Sequence, residues 1–145
     1  MPKNIVVIGS SGGLGREFVN QLALIDDSMV FSFSRAFNGI NKDNIVHGLI
    51  DYNSEDSIQQ AADQVYKYGD INIVIVATGI LHNENLSPEK SLNDLSFDKF
   101  AEVLNVNAFL PAIIAKHFIP KLNKKQPVIF AALSARVGSI NDNKL

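Results

Sequence analysis

Residues 6–15 read Val6-Val7-Ile8-Gly9-Ser10-Ser11-Gly12-Gly13-Leu14-Gly15. An apolar run ends in a loop of glycines and serines. A segment with helical periodicity follows, with apolar side chains at Leu14, Phe18, Leu22 and Ile25. Strand, tight glycine turn and helix together offer backbone N–H groups and a helix N-terminus to a phosphate. Glycine serves such a loop twice, by taking positive φ in the turn and by letting backbone approach a ligand closely. The spacing narrows the choice. No Lys-Ser or Lys-Thr pair follows the last glycine, so the loop is not that of the P-loop hydrolases. The form G-x-G-x-x-G fails from Gly9, because the residue two places on is Ser11. The form G-x-x-x-G-x-G fits, with Gly9, Gly13 and Gly15. A turn that only packs a helix on a sheet is the competing reading.

Composition sets the outer bounds. The chain has 145 residues, nearly half of them apolar, and a formal charge of −2. That suits one domain with a sizeable core, here residues 1–145 as a single unit. No basic surface of the kind nucleic acid requires stands out, and Lys121, Lys124 and Lys125 read as a solvated face. There is no cysteine, hence no disulfide framework and no thiolate chemistry. The chain enters a strand within a few residues, so no signal peptide is expected. The apolar stretch Ala108 to Ala115 is broken by Pro111 and is too short to span a membrane. A cytoplasmic location is the default expectation. His47, His82 and His117 lack metal-ligand spacing, and no G-x-S-x-G nucleophile elbow occurs.

Taken in order, the sequence predicts a first strand over Asn4 to Ile8 and a helix to about Leu24. Further strands are predicted over Met29 to Phe33 and Ile45 to Ile50, with Phe37 to Asn44 as loop between them. Ser54 is the expected N-cap of a helix to about Tyr68, which stops at Gly69. Ile71 to Val76 is the clearest buried strand, and Ala77-Thr78-Gly79 closes it. Leu81 to Leu95 reads as loop with at most one helical turn. Ser96 is the expected cap of one long helix from Phe97 to Ile119, stopped by Pro120. Pro127 to Leu133 is a fifth strand, and the remainder reads as loop. This alternation predicts a doubly wound, Rossmann-type parallel sheet in three α/β/α layers. The ligand is then expected between the first and fourth strands, beyond their carboxyl ends.

Five pieces of this pattern resemble the short-chain dehydrogenase/reductase family, and in particular its C-factor and sniffer carbonyl reductase branch. They are the Gly9/Gly13/Gly15 loop, Asp51 after the third strand, the Ala77-Thr78-Gly79 turn, Leu104-Asn105-Val106-Asn107, and Leu133-Ser134-Ala135-Arg136-Val137-Gly138-Ser139-Ile140. The resemblance implies a nicotinamide cofactor held by Gly9, Ser11, Gly13, Leu14 and Gly15. Ser34 and Arg35 would lie by the adenosine ribose. No acid closes the second strand to hold the ribose hydroxyls, and an Arg accommodates a 2′-phosphate, so NADP(H) is expected over NAD(H). Asp51 and Tyr52 would border the adenine, although a strand-end Asp that caps its own turn reads equally well. Ala77, Thr78 and Gly79 would approach the cofactor, but the family's usual Asn-Asn-Ala-Gly is here Val76-Ala77-Thr78-Gly79, without the bracing amides.

Asn107 carries an argument of its own. Pro111 lies four residues on and has no N–H, so the Asn107 carbonyl loses its usual helical donor. By resemblance, that carbonyl holds a water of a proton relay. Ser134 falls in the region where a family serine bonds the substrate carbonyl, yet counting back from Gly138 places that serine at Ala135. Ser134 with a one-residue shift, Ser139, or a vacant role all remain open. The family's Tyr-x-x-x-Lys pair does not occur: Tyr52, Tyr66 and Tyr68 have no Lys four residues on. The expectation is therefore the cofactor-binding front part of a reductase for a small carbonyl or alcohol, truncated after the fifth strand and inactive alone. A non-catalytic dinucleotide-binding or interaction module is the alternative. An unpaired last strand and a long apolar helix lead to an expected homo-oligomer.

Overall fold

A computed structural model describes residues 3–37, 42–83, 86–135, 138–139 and 141. The expected Arg136, Val137 and Ile140 of the last motif, the loop residues 38–41 and the chain end 142–145 lie outside the described residues.

From Ile5 to Ile8 the first strand, β1 (Lys3–Ile8), is a run of β-branched side chains with both faces covered. Ile5 and Val7 point to one side, where they meet Val19 of α1 (Gly13–Leu22) together with Val30 and Ile45. Val6 and Ile8 point to the other side, into a cluster containing Ile58, Ala62, Leu110, Ile114 and Phe118. Period-two alternation along a strand sends successive residues into two separate cores, so a strand buried on both faces must be apolar throughout.

β2 (Ser28–Ser34), β3 (Ile45–Leu49), β4 (Ile71–Val76) and β5 (Ile129–Ala132) complete a five-stranded sheet in the order β3-β2-β1-β4-β5. Every pairing is parallel. The chain winds outward from β1 to β3, then α2 (Glu55–Tyr66) returns it across the sheet to β4. The winding direction reverses between β1 and β4, as expected.

Ser54 caps α2 as its sequence predicts, its hydroxyl accepting from the Ser57 N–H at 3.2 Å. Ser96 behaves otherwise. It is the N-cap residue of the next helix, but its hydroxyl makes no capping bond. The predicted loop before it holds one 3₁₀ turn, Leu92–Asp94.

The single long helix is a composite. α3 (Phe97–Leu104) passes into a π-helical segment, Asn105–Phe109, and then α4 (Leu110–Phe118), with a 3₁₀ turn at Ile119–Lys121. The cause is Pro111. It cannot donate to the Asn107 carbonyl, and its ring crowds the preceding turn. The ladder shifts register, so that the Leu110 N–H bonds the carbonyl of Asn105, five residues back. Leu110, Ile114 and Phe118 then lie on one buried stripe against the sheet.

The run Phe97–Lys121 spans 25 residues, and its 18-residue window has mean hydropathy 1.3 with 17% of it buried. By length and composition it is long and apolar enough to cross a membrane, which corrects the argument from Ala108–Ala115 alone. Its buried stripe is seated on the sheet, the arrangement of a core-packing helix.

Candidate functional site

The carboxyl ends of β1 and β4 meet at two glycine-dependent turns. Gly9 has φ +89°, a conformation open to glycine at little cost. A Cβ there would lie 2.8 Å from the Ala77 carbonyl carbon and 2.9 Å from the Thr78 nitrogen. The first turn is thus pressed onto the second. Gly15 is buried, and a Cβ on it would sit 2.1 Å from the Gly9 carbonyl oxygen. Helix and loop touch here through backbone, that of Gly9 and of Ser10.

Gly13 differs from both. A Cβ there would meet nothing within 4 Å, and its φ is not positive. Packing and backbone conformation therefore give no reason for a glycine at position 13. Ser11 is exposed, and Leu14 is 68% exposed in the first turn of α1.

The N-terminus of α1 is open. No side chain caps it, and no acid lies in its first turn. The first amides of any helix lack intrahelical acceptors, and they carry the positive end of the helix dipole. At α2 the Ser54 hydroxyl takes the Ser57 amide, and two acids, Glu55 and Asp56, lie in the first turn. α1 offers its amides outward.

Around this loop the predicted residues divide. Ser34 is buried, and its hydroxyl donates to the carbonyl of Ala36, inside its own turn. Arg35 is exposed, with its guanidinium carbon 5.6 Å from the centre of the Tyr52 ring. Asp51 accepts from the Asn53 N–H at 2.9 Å, so its carboxylate braces the turn that follows it. That is the bland alternative its position allowed. Tyr52 is half-buried, and burial pushes its phenol upward. The Arg35 charge, and then the nearby Gly9 backbone, pull in the opposite direction.

The turn after β4 is held in a way its local sequence does not reveal. The Ala77 N–H donates to the Ile8 carbonyl at 2.7 Å, tying it to β1. The Asn107 side chain reaches across from the π segment and clamps Ile80. Its Oδ1 accepts from the Ile80 N–H at 2.8 Å, and its Nδ2 donates to the Ile80 carbonyl at 2.7 Å. One long-range amide supplies the bracing expected of two local ones. Thr78 Oγ1 is buried without a hydrogen-bond partner among the described residues.

Ser134 is exposed beyond β5, and a Cβ on Gly138 would lie 3.7 Å from its hydroxyl. Ser139 is exposed as well. Ser10 had no role in the sequence reading, yet it is buried and donates to the Phe33 carbonyl at 3.0 Å, fixing the loop to β2. Its neighbour Ser11 carries the same side chain, and only the turn distinguishes them.

A cavity of about 300 Å³ lies between the turn after β3 and the π segment, lined in part by Tyr52, Ile58, Val106, Phe109 and Leu110. Tyr52 is its one wall from the predicted site. None of the glycine-loop residues lines it.

The profile of the short chain dehydrogenase family matches residues 3–135. The chain belongs to that family. Short chain dehydrogenases use an NAD(P) cofactor. A curated relative, the short chain dehydrogenase tazN of Aspergillus terreus, is 29% identical over 133 residues, covering 84% of this chain and 28% of that protein. Among solved structures, the NADPH-bound carbonyl reductase from chicken fatty liver superposes with TM-score 0.83 at 21% identity, covering 99% of this chain and 61% of that one. The ligand-free aldohexose dehydrogenase of Thermoplasma acidophilum gives TM-score 0.82 at 23% identity, covering 96% and 51%. The proposed carbonyl reductase Sniffer of Caenorhabditis elegans gives 0.82 at 20%, covering 99% and 68%. At these identities the structural likeness is one of fold. This chain spans little more than a quarter of the curated relative and about half to two thirds of the structures.

Proposed function

We propose that this chain supplies the dinucleotide-binding part of an oxidoreductase that moves hydride to or from a small carbonyl or alcohol, with NADP(H) favoured over NAD(H). The observation that carries the reading is the pairing of an uncapped α1 with a Gly13 whose missing side chain leaves open space. A phosphate fits that place, because it would accept from the free amides and meet the positive end of the helix dipole. Gly9, Ser11, Gly13, Leu14 and Gly15 would cradle the pyrophosphate. Ala77, Thr78 and Gly79 would border the nicotinamide half, and Asp51 and Tyr52 the adenine. When bound, the nicotinamide supplies the hydride chemistry.

Arg35 supports the choice of cofactor. It is exposed at the end of β2, where a 2′-phosphate would sit, and Ser34 beside it is turned inward. Asn107 holds the turn after β4 and would order a relay water through its carbonyl, while Ser134 is the candidate to polarise the carbonyl. No Tyr-x-x-x-Lys occurs within the 145 residues, so the activity read here is binding, and turnover belongs to the whole protein.

A cytoplasmic, self-associating protein goes with this reading. Phe97 at 88% exposure, Phe109 at 57% and Ile129 at 55% are apolar surface of the kind that subunits cover.

Titration of the chain with NADPH and NADH, followed by calorimetry, tests the proposal. Preferential NADPH binding that turns towards NADH in Arg35→Asp is the expected result. A folded chain that binds neither would sink it.

A further inference from the structure

Thr78 Oγ1 is the one buried side-chain oxygen or nitrogen without a hydrogen-bond partner among the described residues. An unpaired buried hydroxyl costs folding free energy, so each one in a native structure calls for a reason. Nearby hydroxyls show the ordinary solution. Ser10 and Ser34, at the same end of the sheet, each donate to a backbone carbonyl. Thr78 does not, although threonine in a turn commonly bonds the backbone around it. The position is also the one that holds alanine in the pattern Asn-Asn-Ala-Gly, so the hydroxyl is this chain's own addition.

The backbone at Thr78 is pinned from both sides. Before it, the Ala77 N–H is tied to the Ile8 carbonyl, and the Thr78 nitrogen packs on Gly9 so closely that a Cβ there would lie 2.9 Å from it. After it, Asn107 holds Ile80 by both its N–H and its carbonyl. Rotation about χ1 is the freedom that remains. Thr78 as a whole is partly exposed, so that rotation can carry the hydroxyl from its covered side outward. Resting on the dinucleotide reading above, we propose that Thr78 is a cofactor-binding residue for the nicotinamide half: its hydroxyl, unpaired in the free chain, bonds a hydroxyl of the ribose that carries the nicotinamide. In that reading the α1 amides take the phosphate, and the adenine lies by Arg35 and Tyr52. The turn after β4 is left to meet the sugar at the other end. A ribose hydroxyl both donates and accepts, so it can pair with threonine in either sense.

Thr78→Val keeps the shape of the side chain and removes only the hydroxyl. Calorimetric titration of the 145-residue chain compares NADPH with adenosine 2′,5′-bisphosphate, which lacks the nicotinamide riboside. Thermal unfolding by circular dichroism reports the fold. In Thr78→Val, NADPH is expected to bind about two- to tenfold more weakly, the worth of one net hydrogen bond. The bisphosphate should bind as it does to the parent, and Tm should hold or rise because an unpaired hydroxyl has gone. Thr78→Ser, which keeps the hydroxyl, should bind NADPH as the parent does. Unchanged NADPH binding by Thr78→Val, or equal weakening of both ligands, would overturn the role of Thr78 and leave the dinucleotide reading intact. A Thr78→Val chain that melts earlier or fails to fold would show the hydroxyl already in use in the free chain, and would overturn it too. A folded parent that binds neither ligand would overturn the dinucleotide reading and this inference with it.

Discussion

Gly13 and Gly15 stand two residues apart in one motif, and the structure surrounds them differently: open space at one, packed backbone at the other. Replacing Gly15 with alanine puts a methyl carbon 2.1 Å from the Gly9 oxygen and 2.8 Å from its carbonyl carbon. Ordinary contact begins at 3.4 Å, and both neighbours are backbone. Overpacking of this kind costs about 1–3 kcal/mol, partly offset by up to about 1 kcal/mol of helix propensity. At about 2–4 °C per kcal/mol for a chain of this size, Gly15→Ala should lower Tm by several degrees. Gly13→Ala meets nothing within 4 Å. Its Tm should hold or rise by a degree or two, because alanine is the better helix former. Its methyl occupies the space assigned to phosphate, so loss of one charge-assisted hydrogen bond, about 1.5–3 kcal/mol, should weaken NADPH binding by about ten- to a hundredfold. Thermal unfolding by circular dichroism and calorimetric titration measure the two effects separately. Undiminished NADPH binding by a stable Gly13→Ala chain would refute the cradle.

Three other outcomes follow from the same geometry. Asn107→Leu strips both hydrogen bonds from Ile80. Hydrogen exchange at the Ile80 amide should accelerate while the buried centre of β4 stays protected, with about 1 kcal/mol lost overall because water can reach the freed groups; unchanged exchange at Ile80 would show that the clamp is not formed. Arg35→Asp should move cofactor preference from NADPH towards NADH, and an unmoved ratio would remove Arg35 from the 2′-phosphate site. Glu55 is held below its ordinary value by hydrogen bonds first from Lys116 and then with His117, and Asp63 chiefly by its hydrogen bond from Lys121. A carboxylate with a lowered folded pKa adds stability above its unfolded value of about 4 and loses it as pH falls through the folded one. Urea midpoints measured from about pH 6 down to about pH 3 should fall less steeply in Glu55→Gln than in the parent, by a small margin because the site is exposed; identical slopes would remove Glu55 from the acid limb.

Much of the fold was legible because its signals are local. β1 and β4 each end in four β-branched residues, Ile5 to Ile8 and Ile73 to Val76, and Ser54 with two acids after it announces α2. Gly9, Gly13 and Gly15 fix a loop that only one arrangement of strand and helix satisfies. The remainder depends on partners far along the chain. The turn at Ala77-Thr78-Gly79 lacks local amides, and its brace comes from Asn107, a residue chosen for its carbonyl rather than its side chain. Pro111 foretold a disturbed ladder, but the choice of a π segment over a simple kink depended on the Leu110 amide finding Asn105. Ser34 and Arg35 looked alike as ribose neighbours; the turn to Ala36 buries one hydroxyl and leaves the other side chain free to stack. Tyr52 reads in the sequence, by resemblance, only as a neighbour of the adenine beside Asp51. Its contact with Arg35 exists only once β2 and β3 lie side by side.

The central claim is that the open first turn of α1 receives a phosphate, and amide NMR observes that turn directly. In a ¹⁵N-labelled chain titrated with NADPH, the resonances of Ser11, Gly13, Leu14 and Gly15 should shift together, with those of the self-capped start of α2 staying in place. Saturable shifts that spare residues 11–15 and appear elsewhere would contradict it.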